Sequence, residues 1–92
     1  MNQAIGIDGG TPINVNDPHV IDIAKFTVNE YNKHSETAKT FEKVLSGVSQ
    51  TMSYGTIYRF NFSATDGSSF GAIVLENPRH SLKLMHLAPI HG

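Results

Sequence analysis

The sequence predicts an α+β fold, one helix laid against an antiparallel sheet, and three observations carry that prediction. One stretch alone, from about residue 18 to an end near His34 to Glu36, has the apolar period of a helix. Every later segment reads as strand, and short turn-forming sequences separate the strands. A helix with one apolar face, followed by consecutive hairpins with an apolar face of their own, buries both surfaces by curling the sheet round the helix.

Residues 1–16 are rich in Gly and Asn and lack an apolar period, so they read as an N-terminal segment without regular structure, flexible over 1–12. The helix opens at Asp17, a good N-cap, and Pro18 suits the first turn because its missing N–H would have no partner there. At 100° per residue, Thr27, Val20, Tyr31, Ala24, Val28 and Ile21 share one arc with Ile23 at its edge. Asp22, Lys25, Asn29, Asn32 and Lys33 lie opposite. Phe26 falls outside the arc, so it requires something that wraps over the helix flank, or else it is exposed.

Four strands follow. "TFEKVLSGV" (40–48) is the first. In "TIYRFNFSA" (56–64), Tyr58, Phe60, Phe62 and Ala64 alternate with Ile57, Arg59, Asn61 and Ser63, which gives one heavy aromatic face. "SFGAIVLE" (69–76) and "SLKLMHLAP" (81–89) complete the set. The connections are a hairpin loop over 50–55, the turn "DGSS" (66–69), where Gly67 can take positive φ, and the turn "NPRH" (77–80). Successive hairpins alternate ends of a sheet, so the loops at 50–55 and 77–80 belong at one end, within reach of the N-terminal segment. Met52 and Tyr54 sit in a polar loop, where apolar side chains gain nothing unless they fold back or meet a partner.

Composition narrows the function. The 92 residues form a single domain over 1–92, and the apolar (39%) and charged (16%) fractions fit a globular chain. Seven scattered basic residues against eight acidic ones argue against nucleic acid or an acidic membrane surface as partner. No apolar run approaches the roughly 18 residues of a membrane span. The start, "MNQAIGIDGG", has neither a basic nor an apolar signal region, which fits a cytosolic protein or a mature form whose signal has been removed to a secreted or vacuolar destination.

Catalytic readings find little support. The absence of cysteine removes disulfides, thiolate nucleophiles and cysteine zinc sites, and no G-x-S-x-G elbow is present. His19, His34, His80, His86 and His91 lie at helix ends, on the last strand, in turns and in the C-terminal tail, without metal-motif spacing, and read as solvated surface residues. The carboxylates are scattered, and no pair stands out. "NFS" at Asn61 is a formal glycosylation sequon, but it falls within a strand. No cofactor or metal is expected. The remaining candidates are backbone and loop features: Gly9 and Gly10, whose pairing lets another chain approach closely, and the tips "QTMSYG" and "NPRH". Together they make a narrow edge without side-chain chemistry, a shape suited to entering a cleft.

Against that background, "GGTPI", "NDPHVIDIAKFTVNEYN", "FEKVLSGVSQ", "GTIYR" and "VLENP" resemble the plant-type cystatins, inhibitors of papain-like cysteine proteases. The run from Ile23 to Asn32 resembles the family's helix signature, an aliphatic residue, Ala-Arg-Phe-Ala-Val, any residue, an acid, an aromatic or His, and Asn; Thr27 is a mild variation. The resemblance extends from about Gly9 to Pro89. It implies a cystatin-like fold, a four- or five-stranded antiparallel sheet curled round one helix. It also implies an inhibitory edge made of an N-terminal Gly-Gly, a first loop Gln-x-Val-x-Gly and a second loop Pro-Trp. Gly9 and Gly10 match the first element, Gln50 and Gly55 the ends of the second, and Pro78 the third.

Two departures stand out. Thr51, Met52, Ser53 and Tyr54 put four residues between Gln and Gly where the family has three, and the central Val is gone. Arg79 stands where the Trp would be, removing a large aromatic anchor of the kind that dominates many interfaces. The resemblance implies a non-enzymatic, reversible inhibitor that contacts a papain-like protease through Gly9, Gly10, Gln50 to Gly55, Pro78 and Arg79. The altered loops suggest the alternative of a protein-binding module on the same fold with weak or no inhibition. A monomer is expected, with a domain-swapped dimer as the other form that a strained first loop permits.

Overall fold

The computed structural model of the protein describes residues 10–90, so Gly9 and His91 lie outside the described residues. The elements are β1 (Thr11–Pro12), α1 (Pro18–Lys33), β2 (Phe41–Met52), β3 (Gly55–Ala64), β4 (Ser69–Glu76) and β5 (Leu82–Pro89). The five strands form one antiparallel sheet in sequence order, β1-β2-β3-β4-β5, against which α1 packs. The α+β architecture therefore stands as expected, with five strands.

Asp17 caps α1 from an extended conformation, its side chain accepting from His19 N–H at 2.9 Å, and Pro18 opens the first turn. At the other end, His34 N–H donates to the Tyr31 carbonyl. Asn32 then fixes how the chain leaves the helix. Its amide oxygen accepts from Lys39 N–H (2.8 Å) and its amide nitrogen donates to the Lys39 carbonyl (3.0 Å). Both backbone groups of Lys39 are thereby satisfied two residues before β2 begins, which gives the Asn at the end of the helix signature a physical reason.

The buried helix face is Val20, Ile23, Ala24, Thr27 and Val28. Ile23, expected at the arc's edge, is only 1% exposed, while Ile21 is half-buried. The burial is rotated toward Ile23 because the curled sheet wraps that flank, and Phe26 packs against the core on the same side. Thr27 is wholly buried, and its hydroxyl donates to the Ile23 carbonyl at 3.0 Å, so the polar group that replaces a methyl costs little. Across from the helix, Phe62 stacks on Phe70 with ring centroids 5.4 Å apart, and Phe70 meets Tyr31 at the same distance. Burial of the Phe62 and Phe70 rings contributes about 1.5–3 kcal/mol each.

Three expectations about the chain's path are corrected. Part of the N-terminal stretch read as lacking regular structure is built into the fold: Thr11 and Pro12 pair with Ser49 and Val48, and Ile13 and Val15 pack on the core. The first hairpin loop is also shorter than 50–55. Strand β2 runs on through Met52 and β3 resumes at Gly55, which leaves only Ser53 and Tyr54 between the ladders. The turn after β3 likewise occupies residues 65–68, with Ser69 already in β4.

Three bulges bend the sheet. Glu42 and Leu45 are extra residues of β2 relative to β3, and Met85 is extra in β5 relative to β4. Each local break increases twist and curls the sheet round the helix. The bulges also account for two exposed apolar side chains, Leu45 and Met85.

Candidate functional site

Two sheet registers bring the three sequence-predicted segments to one end of the molecule. Thr11 pairs with Ser49, which sets Gly10 beside the end of β2, next to Gln50. Thr56 pairs with Glu76, so the residue just after the first loop lies opposite the residue just before the second. Gly10, residues 50–55 and residues 77–80 thus form one continuous edge. Gly9 adjoins it in sequence but lies outside the described residues.

Within this edge the first loop is a paired ribbon with a narrow tip. Met52 pairs with Gly55, Thr51 with Thr56 and Gln50 with Ile57, and the two threonine hydroxyls lie 3.3 Å apart. Neither Ser53 nor Tyr54 adopts positive φ, so the reversal falls to Gly55 at φ +141°. The Tyr54 side chain is 54% exposed, whereas Met52 is half-buried. Gly55 has a second reason to be glycine: a Cβ there would sit 2.3 Å from the Glu76 carbonyl oxygen. The first loop is sealed against the base of the second.

The second loop is organised by Asn77. Its side-chain oxygen accepts from Arg79 N–H (2.9 Å) and Ser81 N–H (3.0 Å), and its carbonyl accepts from His80 N–H (2.8 Å). Pro78 and Arg79 form the exposed tip, and His80 turns the chain at φ +67°. Gly10 lies at φ +126°, where a Cβ would meet Val48 Cβ at 3.0 Å. Its glycine therefore answers a close approach to its own neighbouring strand as well as leaving the edge thin.

Beneath the loops lies a cluster that motif reading missed. Glu76, 7% exposed, holds three partners on its carboxylate: His19 Nε2 at 2.8 Å and the Tyr58 hydroxyl at 3.3 Å on Oε1, and His80 Nδ1 at 3.1 Å on Oε2. Burial pushes the Glu76 carboxyl up, but the hydrogen bonds from His19, His80 and Tyr58 outweigh it and hold the group below its ordinary range. His19 is raised, first by its hydrogen bond to Glu76, against a smaller lowering from burial. Tyr58 is raised by burial and by the negative charge of Glu76. One signal was available: the period-two phase of Phe70, Ala72 and Val74 places Glu76 on the inward face, and an inward acid requires partners.

The edge offers contact surface rather than reaction chemistry. Among the described residues, surface depressions of 320 to 430 Å³ lie along the sheet and helix, away from both loops. Among the described residues, no group of three or more His, Asp or Glu side chains is arranged to hold a metal ion, and no helix is long and apolar enough to cross a membrane.

One helix in a curled five-strand antiparallel sheet, with two hairpin loops and the N-terminal strand gathered at one end, defines a cystatin-like α+β protein. Residues 13–87 match the family described as SQAPI, aspartic acid proteinase inhibitor. Among curated proteins, the chain is 45% identical over 82 residues to cysteine proteinase inhibitor 5 of Arabidopsis thaliana, covering 84% of this chain and 66% of that protein. It is 35% identical over 89 residues to cysteine proteinase inhibitor 1 of Oryza sativa subsp. japonica (91% and 63%) and 35% identical over 80 residues to cysteine proteinase inhibitor 1 of Actinidia chinensis var. chinensis (83% and 68%). The chain thus spans about two thirds of the length of these relatives. No solved structure gives a significant match. The chain belongs to the plant-type cystatin family, a family of proteinase inhibitors and not of enzymes.

Proposed function

We propose that this protein is a reversible inhibitor of papain-like cysteine proteases that occupies the active-site cleft with its N-terminal segment and two hairpin loops. One observation carries the reading: the pairings Thr11 with Ser49 and Thr56 with Glu76 align Gly10, the first loop and the second loop along one narrow edge. The relatives named as cysteine proteinase inhibitors support it. In this reading Gly9 and Gly10 lay backbone along the substrate subsites. The ribbon from Gln50 to Gly55 enters beside the catalytic cysteine of the protease, and Pro78 and Arg79 rest on the far rim. Inhibition is steric and needs no cofactor. Titration of active-site-calibrated papain with the protein tests it, with stoichiometric loss of activity as the expected result.

A second reading has its own support. The first loop carries four residues between Gln50 and Gly55, and Arg79 replaces an aromatic anchor; the matched family is described as inhibiting aspartic proteinases. In that reading the edge binds another protein, an aspartic proteinase first of all, with weak or no effect on papain. The same titration against pepsin separates the two. Full papain activity at micromolar excess of the protein, with loss of pepsin activity, selects the second reading.

A further inference from the structure

We propose that Glu76 is the positioning residue of this edge, clasped by His19 and His80, and that its contact with His19 holds the two loops most firmly in mildly acidic solution. Its consequence for protease binding rests on the proposed function; its consequence for loop order does not.

The geometry makes Glu76 a junction. Through one carboxylate oxygen it reaches the first turn of α1 at His19 and β3 at Tyr58; through the other it reaches the second loop at His80. Its carbonyl oxygen lies where Gly55 admits no side chain, so the exit of the first loop rests on the same residue. His80 is the single non-glycine residue with positive φ among the described residues. That region is sparsely populated for side-chain-bearing residues and is retained where the surroundings impose it. Here the Asn77 carbonyl and the Glu76 carboxylate impose it.

The charged and titratable neighbours fix the direction of the pH response. Asp17 and Asp22 face His19 from α1 and act with Glu76 to favour its protonated form. Tyr58 from β3 and His80 from the loop complete the shell around Glu76. A histidine raised by folding contributes stability below its ordinary value of 6.5, and that contribution is lost as pH rises through the folded value. A carboxylate lowered by folding contributes above its ordinary value of 4.5, and that contribution is lost as pH falls through the folded value. Both are present together between pH 4.5 and 6.5. Because the His19 imidazole is about half exposed, solvent screening keeps the effect modest.

The test compares the wild-type chain with Glu76→Gln and His19→Gln, each checked for folding by circular dichroism. Hydrogen-exchange protection factors of the His80 and Ser81 amides are measured at pH 5.5 and 7.5, and papain inhibition constants at the same two values. The wild type is expected to show protection about three- to tenfold higher at pH 5.5. Each variant is expected to bring that ratio near one and to lose a matching share of the pH dependence of inhibition. If Glu76→Gln does not fold, His19→Gln carries the test alone, because its amide can still donate to Glu76 without titrating. A protection ratio in His19→Gln equal to that of the wild type overturns the proposal. If papain is unaffected at either pH while the variants still lose the ratio, the inhibitor reading fails and the clasp stands.

Discussion

Gly55→Ala is the most informative single substitution in this molecule. Gly55 lies at φ +141°, in a region that side-chain-bearing residues avoid at a cost of about 1–3 kcal/mol. The added methyl would also sit 2.3 Å from the Glu76 carbonyl oxygen and 3.0 Å from Asn77 Cα. Both are backbone atoms that no rotamer change can clear, and overpacking of that kind costs about 1–3 kcal/mol more. The smaller conformational freedom of Ala in the unfolded chain returns about 0.4–1 kcal/mol. The net loss is about 1–5.6 kcal/mol, with a middle value of about 3, out of the roughly 5–15 kcal/mol that holds a domain together. At about 4–8 °C per kcal/mol for a chain of this size, the middle value lowers the melting temperature by about 12–24 °C, and even the lower end by about 4 °C. Gly67→Ala is the matched control. Gly67 also has positive φ, +90°, but a Cβ there meets nothing within 4 Å, so only backbone strain applies, a net of about 0.8 kcal/mol at mid-range, and a fall of about 3–6 °C is expected. Thermal melts by circular dichroism read both. Equal shifts for the two variants, or a fall below about 3 °C for Gly55→Ala, would refute the argument that the first loop is sealed on the second.

Three further outcomes are expected, each read as a papain inhibition constant with a melting curve as folding control. Deleting Tyr54 leaves a single residue between Met52 and Gly55, so that pair must open and the ladder closes at Thr51 and Thr56. The resulting three-residue loop ends in glycine, a favoured hairpin form, and inhibition is expected to strengthen; unchanged or weaker inhibition makes Tyr54 a contact residue. Arg79→Trp should tighten inhibition by about 2 kcal/mol if the exposed tip meets the protease; no change places the second loop off the contact. Removing residues 1–10 should weaken inhibition and leave the melting temperature within about 3 °C, because strand pairing starts at Thr11; full inhibition by the truncated chain would exclude a Gly-Gly contact.

Much of the fold was legible because local signals and burial agree. Asp17 and Pro18 mark where the helix starts, and Tyr58, Phe60, Phe62 and Ala64 mark which side of β3 faces it. The period-two pattern of β4 is unbroken over its whole length. The bulges at Glu42, Leu45 and Met85 were not legible, because an extra residue shifts the apolar phase without leaving a turn signal. Nor was the reach of β2 to Met52: Gln50 and Thr51 are polar, and backbone pairing with β3, not side-chain burial, keeps them in the ladder. For the candidate edge, alternation of hairpin ends already gathered the loops at one end. The His19 half of the Glu76 cluster stayed hidden because His19 lies 57 residues from its partner in sequence, a separation that only the folded helix closes; His80, four residues from Glu76, read simply as a solvated turn residue.

The bulges also bear on how copies of this chain treat one another. Beyond Gly47, Val48 and Ser49, which the N-terminal stretch pairs with, β2 carries the bulged residues Glu42 and Leu45; β5, at the other edge, carries Met85 and ends at Pro89, which has no N–H to give. A straight strand from a neighbouring molecule cannot stay in step along either rim for more than a few residues. The curvature that wraps the sheet round the helix is therefore expected to oppose fibrous stacking as well, at rims that expose Leu45 and Met85. Straightening β5 by deleting Met85 would remove that obstacle on one side, and concentrated solutions of the variant should scatter light where the parent stays clear.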